Sequence, residues 1–136
     1  MKENITTSLI VLLNLLVLMV HGKAHLQLQI KAHAWQNMFI AIIIFLVPML
    51  ATTALVWTRL KRVGIALLAL SMTGSWVFGV TYHLLVHGSD NILAPHHGQW
   101  ALPFAVTAIG LALIEAGTVI WCILVLRNSE READER

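Results

Sequence analysis

The chain has 136 residues, 58% of them hydrophobic and 12% charged, where soluble domains carry roughly 25% charged residues. That balance excludes an ordinary water-soluble domain, and a net charge of +2 with no basic patch beyond the loop ends gives no surface for nucleic acid. The single cysteine, Cys122, excludes an internal disulfide and a thiolate metal cluster.

Four apolar runs follow one another, and each is continuous, whereas the strands of membrane barrels alternate apolar and polar residues. Helices are therefore expected. The first run, Ile5 to Val20, is short and contains Asn14; continued through HGKAH it reaches the roughly 20 residues that cross about 30 Å of hydrocarbon. Lys2, the apolar stretch, Gly22 and Ala24 also make a pattern like a signal peptide, but we expect a retained helix over about residues 5–24. His21 and His25 lie four apart at its end and share a face if the helix reaches them.

The second run gives an expected helix over 34–57, preceded by His33 and kinked near its middle by Pro48. After the loop TRLKR, the third helix is expected over 63–87. Ser71, Ser75 and Gly79 recur there every four residues, a small-residue face that lets a neighbouring backbone approach. It runs into HLLVHGSDNILAPHH, which holds His83, His87, Asp90, His96 and His97. The fourth helix is expected over 100–126, with Pro103 tolerated in its first turn and Glu115 near its centre. Residues 127–136 alternate acids and arginines and read as a solvated tail.

The fold class is thus an all-α integral membrane protein, a four-transmembrane-helix bundle over residues 1–126 with the charged tail 127–136. Lys2, Arg59, Lys61, Arg62, Arg127, Arg131 and Arg136 fall on one side of this topology, and only Lys23 and Lys31 on the other. The positive-inside bias places both termini in the cytoplasm of a bacterial or archaeal inner (plasma) membrane. All seven histidines (His21, His25, His33, His83, His87, His96 and His97) then fall on the outer side.

The two halves resemble each other when aligned on VHG, at 20–22 and 86–88, followed by HAWQ and HGQW. Trp35 with Trp57, and Trp100 with Trp121, stand about one membrane crossing apart, as interfacial indoles do. A duplication of two parallel helical hairpins would match His21 to His87 and His33 to His97.

Two i, i+4 histidine pairs with three further histidines on one membrane face make a candidate metal site of His21, His25, His33, His83, His87, His96 and His97, with Asp90 as ligand or orienting partner. Imidazole suits Cu, Zn or Fe. Haem b, held axially by histidines such as His21, His83 and His87, is the other way to use them. The plain alternative is that outer histidines meet lipid headgroups or titrate near neutral pH. Glu115 lies near the bilayer centre, where a carboxyl group is costly and needs a partner, with Asn14 and Ser75 at matching depth. HxxxH and HH elements resemble those of membrane desaturases and hydroxylases, but those histidine boxes face the cytoplasm on much longer chains.

The expected function is binding of a transition metal or haem on the extracytoplasmic face for redox or metal handling. The alternatives are a non-catalytic subunit of a larger membrane complex that binds lipid or pigment, or a small proton-coupled carrier using Glu115. The bilayer is the expected partner, and the small-residue faces also permit a homo-oligomer. No nucleotide-binding or hydrolase motif is present, and whether the chain is an enzyme is open at this level.

Overall fold

A computed structural model of the chain describes residues 2–134. It is helical throughout, with no strand among the described residues, and four helices are long and apolar enough to cross a membrane. These are α1 (Lys2–Gln27), α2 (Ala34–Ala54), α3 (Lys61–Leu85) and α4 (Ala101–Asp134). α4 packs against both α1 and α3, and α3 packs against α2. α1 meets α2 chiefly along Val47–Ala54, so the two helices close the bundle at the end that carries the chain termini and part toward the other end.

The termini end is densely filled. Val11, Ala51, Leu55, Ile65, Leu68, Met72, Cys122 and Val125 form one buried cluster there. Gly64 lets α3 sit directly on α2, since a Cβ at that position would lie 2.8 Å from the Ala51 carbonyl oxygen. Polar contacts add the directed attraction that apolar packing lacks in lipid. Trp121 Nε1–H donates to Thr7 Oγ1 at 3.0 Å, and Lys61 reaches Glu3 at 2.6 Å. Arg62 pairs with Glu130 at 2.9 Å, alongside an α4 that remains helical beyond residue 126.

α2 is not a uniform helix. Ala34–Phe39 and Val47–Ala54 are α-helical, while Ile40–Leu46 between them is π-helical. Val47 N–H bonds Ile42 O, five residues back, so the next bond in that register would run from Pro48 to Ile43. Proline has no N–H to give. Ser71 of α3 donates its hydroxyl to Ile43 O instead, which satisfies a buried carbonyl and ties α3 to the irregular turn of α2.

α1 ends in a Schellman turn. Gln29 N–H bonds Leu26 O at 3.2 Å and Ile30 N–H bonds His25 O at 3.0 Å. Gln29 takes φ 56°, a left-handed conformation usually left to glycine and about 1–2 kcal/mol less favourable for other residues. α3 also ends in a π-turn, Thr81–Leu85, closed by Val86 N–H on Thr81 O at 2.8 Å. At this end of the bundle, remote from the termini, α1 and α3 meet through the side chains of His21 and His83.

Candidate metal site

His21 and His25 stand one turn apart on α1, and His83 faces them from the π-turn of α3. Their ligating nitrogens all lie within 4.8 Å of one another. His21 Nε2 is 3.2 Å from His83 Nε2 and 3.1 Å from His25 Nε2. Three nitrogens held about 2.0–2.1 Å from one tetrahedral ion would stand roughly 3.3 Å apart, so two of the three separations already approach those of a shared ion.

The Nδ1 proton of two of these rings is fixed by what lies behind them. His21 Nδ1 is 2.9 Å from Thr107 Oγ1, and that hydroxyl gives its only proton to Pro103 O at 2.6 Å. Thr107 can therefore only accept, so His21 carries its proton on Nδ1 and leaves a lone pair on Nε2. His83 Nδ1 is 2.8 Å from Asp90 O and 3.1 Å from Asp90 Oδ1, both acceptors, so it too is protonated on Nδ1. Between these Nε2 atoms, 3.2 Å apart, there is then room for one cation, a proton or a metal ion. Histidines that bind metals have the arrangement seen at His83, with the outer N–H held by a carbonyl or carboxylate, and at His21 a hydroxyl oxygen takes that place.

The surroundings hold the cluster rigidly. Phe104 is fully buried, stacks on His21 at 5.2 Å between centroids and meets the edges of His25 and His83. The loop after α3 folds back over the site. Ile92 N–H bonds His83 O at 2.9 Å, Asn91 Nδ2 donates to Val86 O at 3.0 Å, and Asn91 Oδ1 accepts from Leu93 N–H. An Asx-type turn at Asn91 thus also delivers Asp90 to the histidines. Burial works to raise the Asp90 carboxyl, but the hydrogen bond from His83 and the neighbouring imidazoles outweigh it and hold the group below its ordinary range. Its Oδ1 is also 3.2 Å from His25 Nε2.

The other histidines are placed differently. His96 is half-buried beside the cluster, with its ring 4.9 Å from Phe104 and Nε2 bonded to Asn91 O at 3.0 Å. His33 is exposed and begins α2, its backbone N–H bonded to Gln36 Oε1 at 2.6 Å. His87 and His97 are exposed in the loop. The i, i+4 relation of His83 to His87 does not form one helical face, because α3 turns π-helical at Thr81 and Val86 is already extended. Thr107 and Phe104 carried no signal in the sequence, since a threonine and a phenylalanine in an apolar helix are ordinary.

A chamber of about 760 Å³ lies below the histidines, in the space where α1 and α2 part. His21, His25, His83 and Asp90 line one part of it, and Glu115 and Ser75 another. Glu115 is buried and accepts a short hydrogen bond from the Ser75 hydroxyl. Ser75 precedes His83 by eight residues, so this pair sits roughly 12 Å below the cluster along α3. Asn14 is buried on the His21 side of α1, about two turns deeper, and its amide finds no partner among the described residues.

No protein-family model, curated protein or solved structure matches the chain, so the functional reading rests on this geometry.

Proposed function

We propose that the chain is an integral membrane protein that binds one divalent transition-metal ion through His21, His25 and His83, at the extracytoplasmic end of its bundle. The convergence of three Nε2 atoms, two with their protons fixed on the far side of the ring, carries this reading. A single proton can bridge one pair of imidazoles. With Asp90 Oδ1 3.2 Å from His25 Nε2 the third ring can turn its nitrogen to the carboxylate, but only an ion engages all three nitrogens at once. A zinc-type ion contributes on the order of 10 kcal/mol and satisfies all three.

Three imidazoles without thiolate suit zinc or copper(II), and a three-histidine set leaves a fourth position open. Asp90 acts behind His83 as the carboxylate that orients the ring and supports its basicity. Crowding favours an ion over haem b. A porphyrin must pass between its two axial rings, whereas the His21 and His83 rings meet edge to face with centroids 4.8 Å apart. The excess of Lys and Arg at the termini end supports cytoplasmic termini, and hence a site at the outer membrane–water boundary.

Metal analysis of the purified chain in lipid nanodiscs, after loading with zinc or copper(II) and desalting, tests this reading. About one ion per chain is expected, lost in His21→Ala and in His83→Ala. An ion content that both substitutions leave intact would contradict it.

A further inference from the structure

We infer that the chamber beside the metal site takes a lipid-soluble quinone or hydroquinone, with one ring oxygen on the open metal position and the opposite oxygen at Glu115. The inference rests on the metal reading and adds the class of ligand. At about 760 Å³ the chamber falls within the range of small-molecule sites. Its middle is apolar, walled by Leu18, Ile44, Phe45, Phe78 and Leu111, and its polar groups lie toward two ends, with Lys23, Lys31, Gln36 and Asn37 joining the histidine end. One end is the histidine cluster with Asp90; the other is Glu115 with Ser75.

The route in is lateral. α1 and α2 touch along Val47–Ala54, and nearer the histidines Met19 of α1 and Ile40 of α2 both line the chamber, with Met19 largely exposed. This seam faces the side where lipid would lie, so a ligand dissolved in the bilayer reaches the chamber without crossing water. A ligand with an isoprenoid or alkyl tail leaves that tail in the seam.

The two polar ends decide the class. A fatty acid has a single polar end, and its tail would press methylenes against the Glu115 carboxyl group, removing polar atoms from any partner at a cost of a few kcal/mol. A flat ring with oxygens at opposite ends serves both poles. Of the roughly 12 Å between the main-chain levels of Ser75 and His83, a metal–oxygen bond of about 2 Å and a hydrogen bond of about 2.7 Å leave roughly 7 Å, room for one such ring and its oxygens. Ser75 donates to one Glu115 oxygen, and no described residue bonds the other. That second oxygen is free to meet a ligand hydroxyl, or, when the carboxyl is protonated, to donate to a carbonyl. The inference concerns binding and placement of the ring, with no electron transfer implied.

Isotope-labelled decyl-benzohydroquinone, equilibrated with zinc-loaded full-length chain in nanodiscs and counted against empty discs, tests it. Saturable binding of about one probe per chain is expected. Affinity should fall at least tenfold in Glu115→Leu and in Ala112→Phe, which fills the chamber one helical turn from Glu115 and away from the histidines, while zinc content stays at the wild-type value in each. Labelled decanoic acid should partition as it does into empty discs. If zinc is bound but the hydroquinone partitions as into empty discs, or binds equally well to both variants, or decanoic acid binds as tightly, the inference falls and the metal reading stands. If zinc itself does not bind, the metal reading fails first and takes this inference with it.

Discussion

His21 and His83 face each other across 3.2 Å between Nε2 atoms, and in the neutral rings neither nitrogen has a proton to place in that gap. Thr107 and the Asp90 main chain hold both protons on the far nitrogens. Apposed lone pairs repel unless a proton or a metal ion lies between them, so the residues behind the site, as well as the histidines, shape it to hold a cation.

Thr107→Val keeps the side-chain shape and removes the acceptor behind His21. The imidazole is then free to change tautomer or rotate, and metal affinity should fall about 10- to 100-fold, the usual effect of losing an outer partner of a ligating histidine. Competition with a chromophoric chelator measures this. Wild-type affinity in the variant would show that Thr107 does not set the proton on His21.

The exposed histidines should be dispensable. Replacing His33, His87 and His97 together by alanine leaves the three converging rings untouched, so metal content and affinity should match wild type in the same assay. Loss of the ion would move the site into the loops.

Acid should release the metal through the imidazoles and not through Asp90. Because its carboxyl is held below the ordinary range, its contribution is present above the usual carboxylate value and is lost only as pH falls through the still lower folded value. From pH 8 to pH 5 it therefore keeps its charge, while protons compete with the ion for the imidazole nitrogens and displace it. Equilibrium dialysis against zinc should show occupancy declining across that window. Asp90→Asn should bind about tenfold more weakly at pH 7.5 and still release on acidification; a variant that kept its metal at pH 5 would contradict this assignment of the protons.

Much of the fold was legible in the sequence, because continuous apolar runs of crossing length leave few alternatives. The same runs conceal how helices depart from regularity. Pro48 signals a kink, but the π-helical register over Ile40–Leu46 and its repair by Ser71 depend on a carbonyl that only packing shows to be orphaned. At the site, the HxxxH pair His21 and His25 was readable from helical spacing, and His83 from its depth in the apolar stretch. Its expected companion His87 was misleading, since spacing arguments assume the helix continues and α3 unwinds at Val86. The pairing of Glu115 with Ser75 was among the options depth allowed, while Asn14, at matching depth, is left without a partner among the described residues.

The packing of α2 on α3 should be separable from the site. Gly64→Ala places a methyl group 2.8 Å from the Ala51 carbonyl oxygen, a backbone atom that cannot swing aside. Overpacking of this kind costs about 1–3 kcal/mol, read as a lower midpoint of unfolding in mixed detergent micelles. Metal content below the unfolding range should be unchanged, since Gly64 lies in the other half of the bundle. An unshifted midpoint would mean that the two helices are not in contact there.

The most direct measurement is X-ray absorption at the zinc edge of the metal-loaded chain in nanodiscs. The account predicts three imidazole nitrogens at about 2.0–2.1 Å with one further light atom, and loss of one imidazole contribution in His83→Ala. An oxygen-only shell, or a spectrum that His83→Ala leaves unchanged, would contradict the assignment of the ion to His21, His25 and His83.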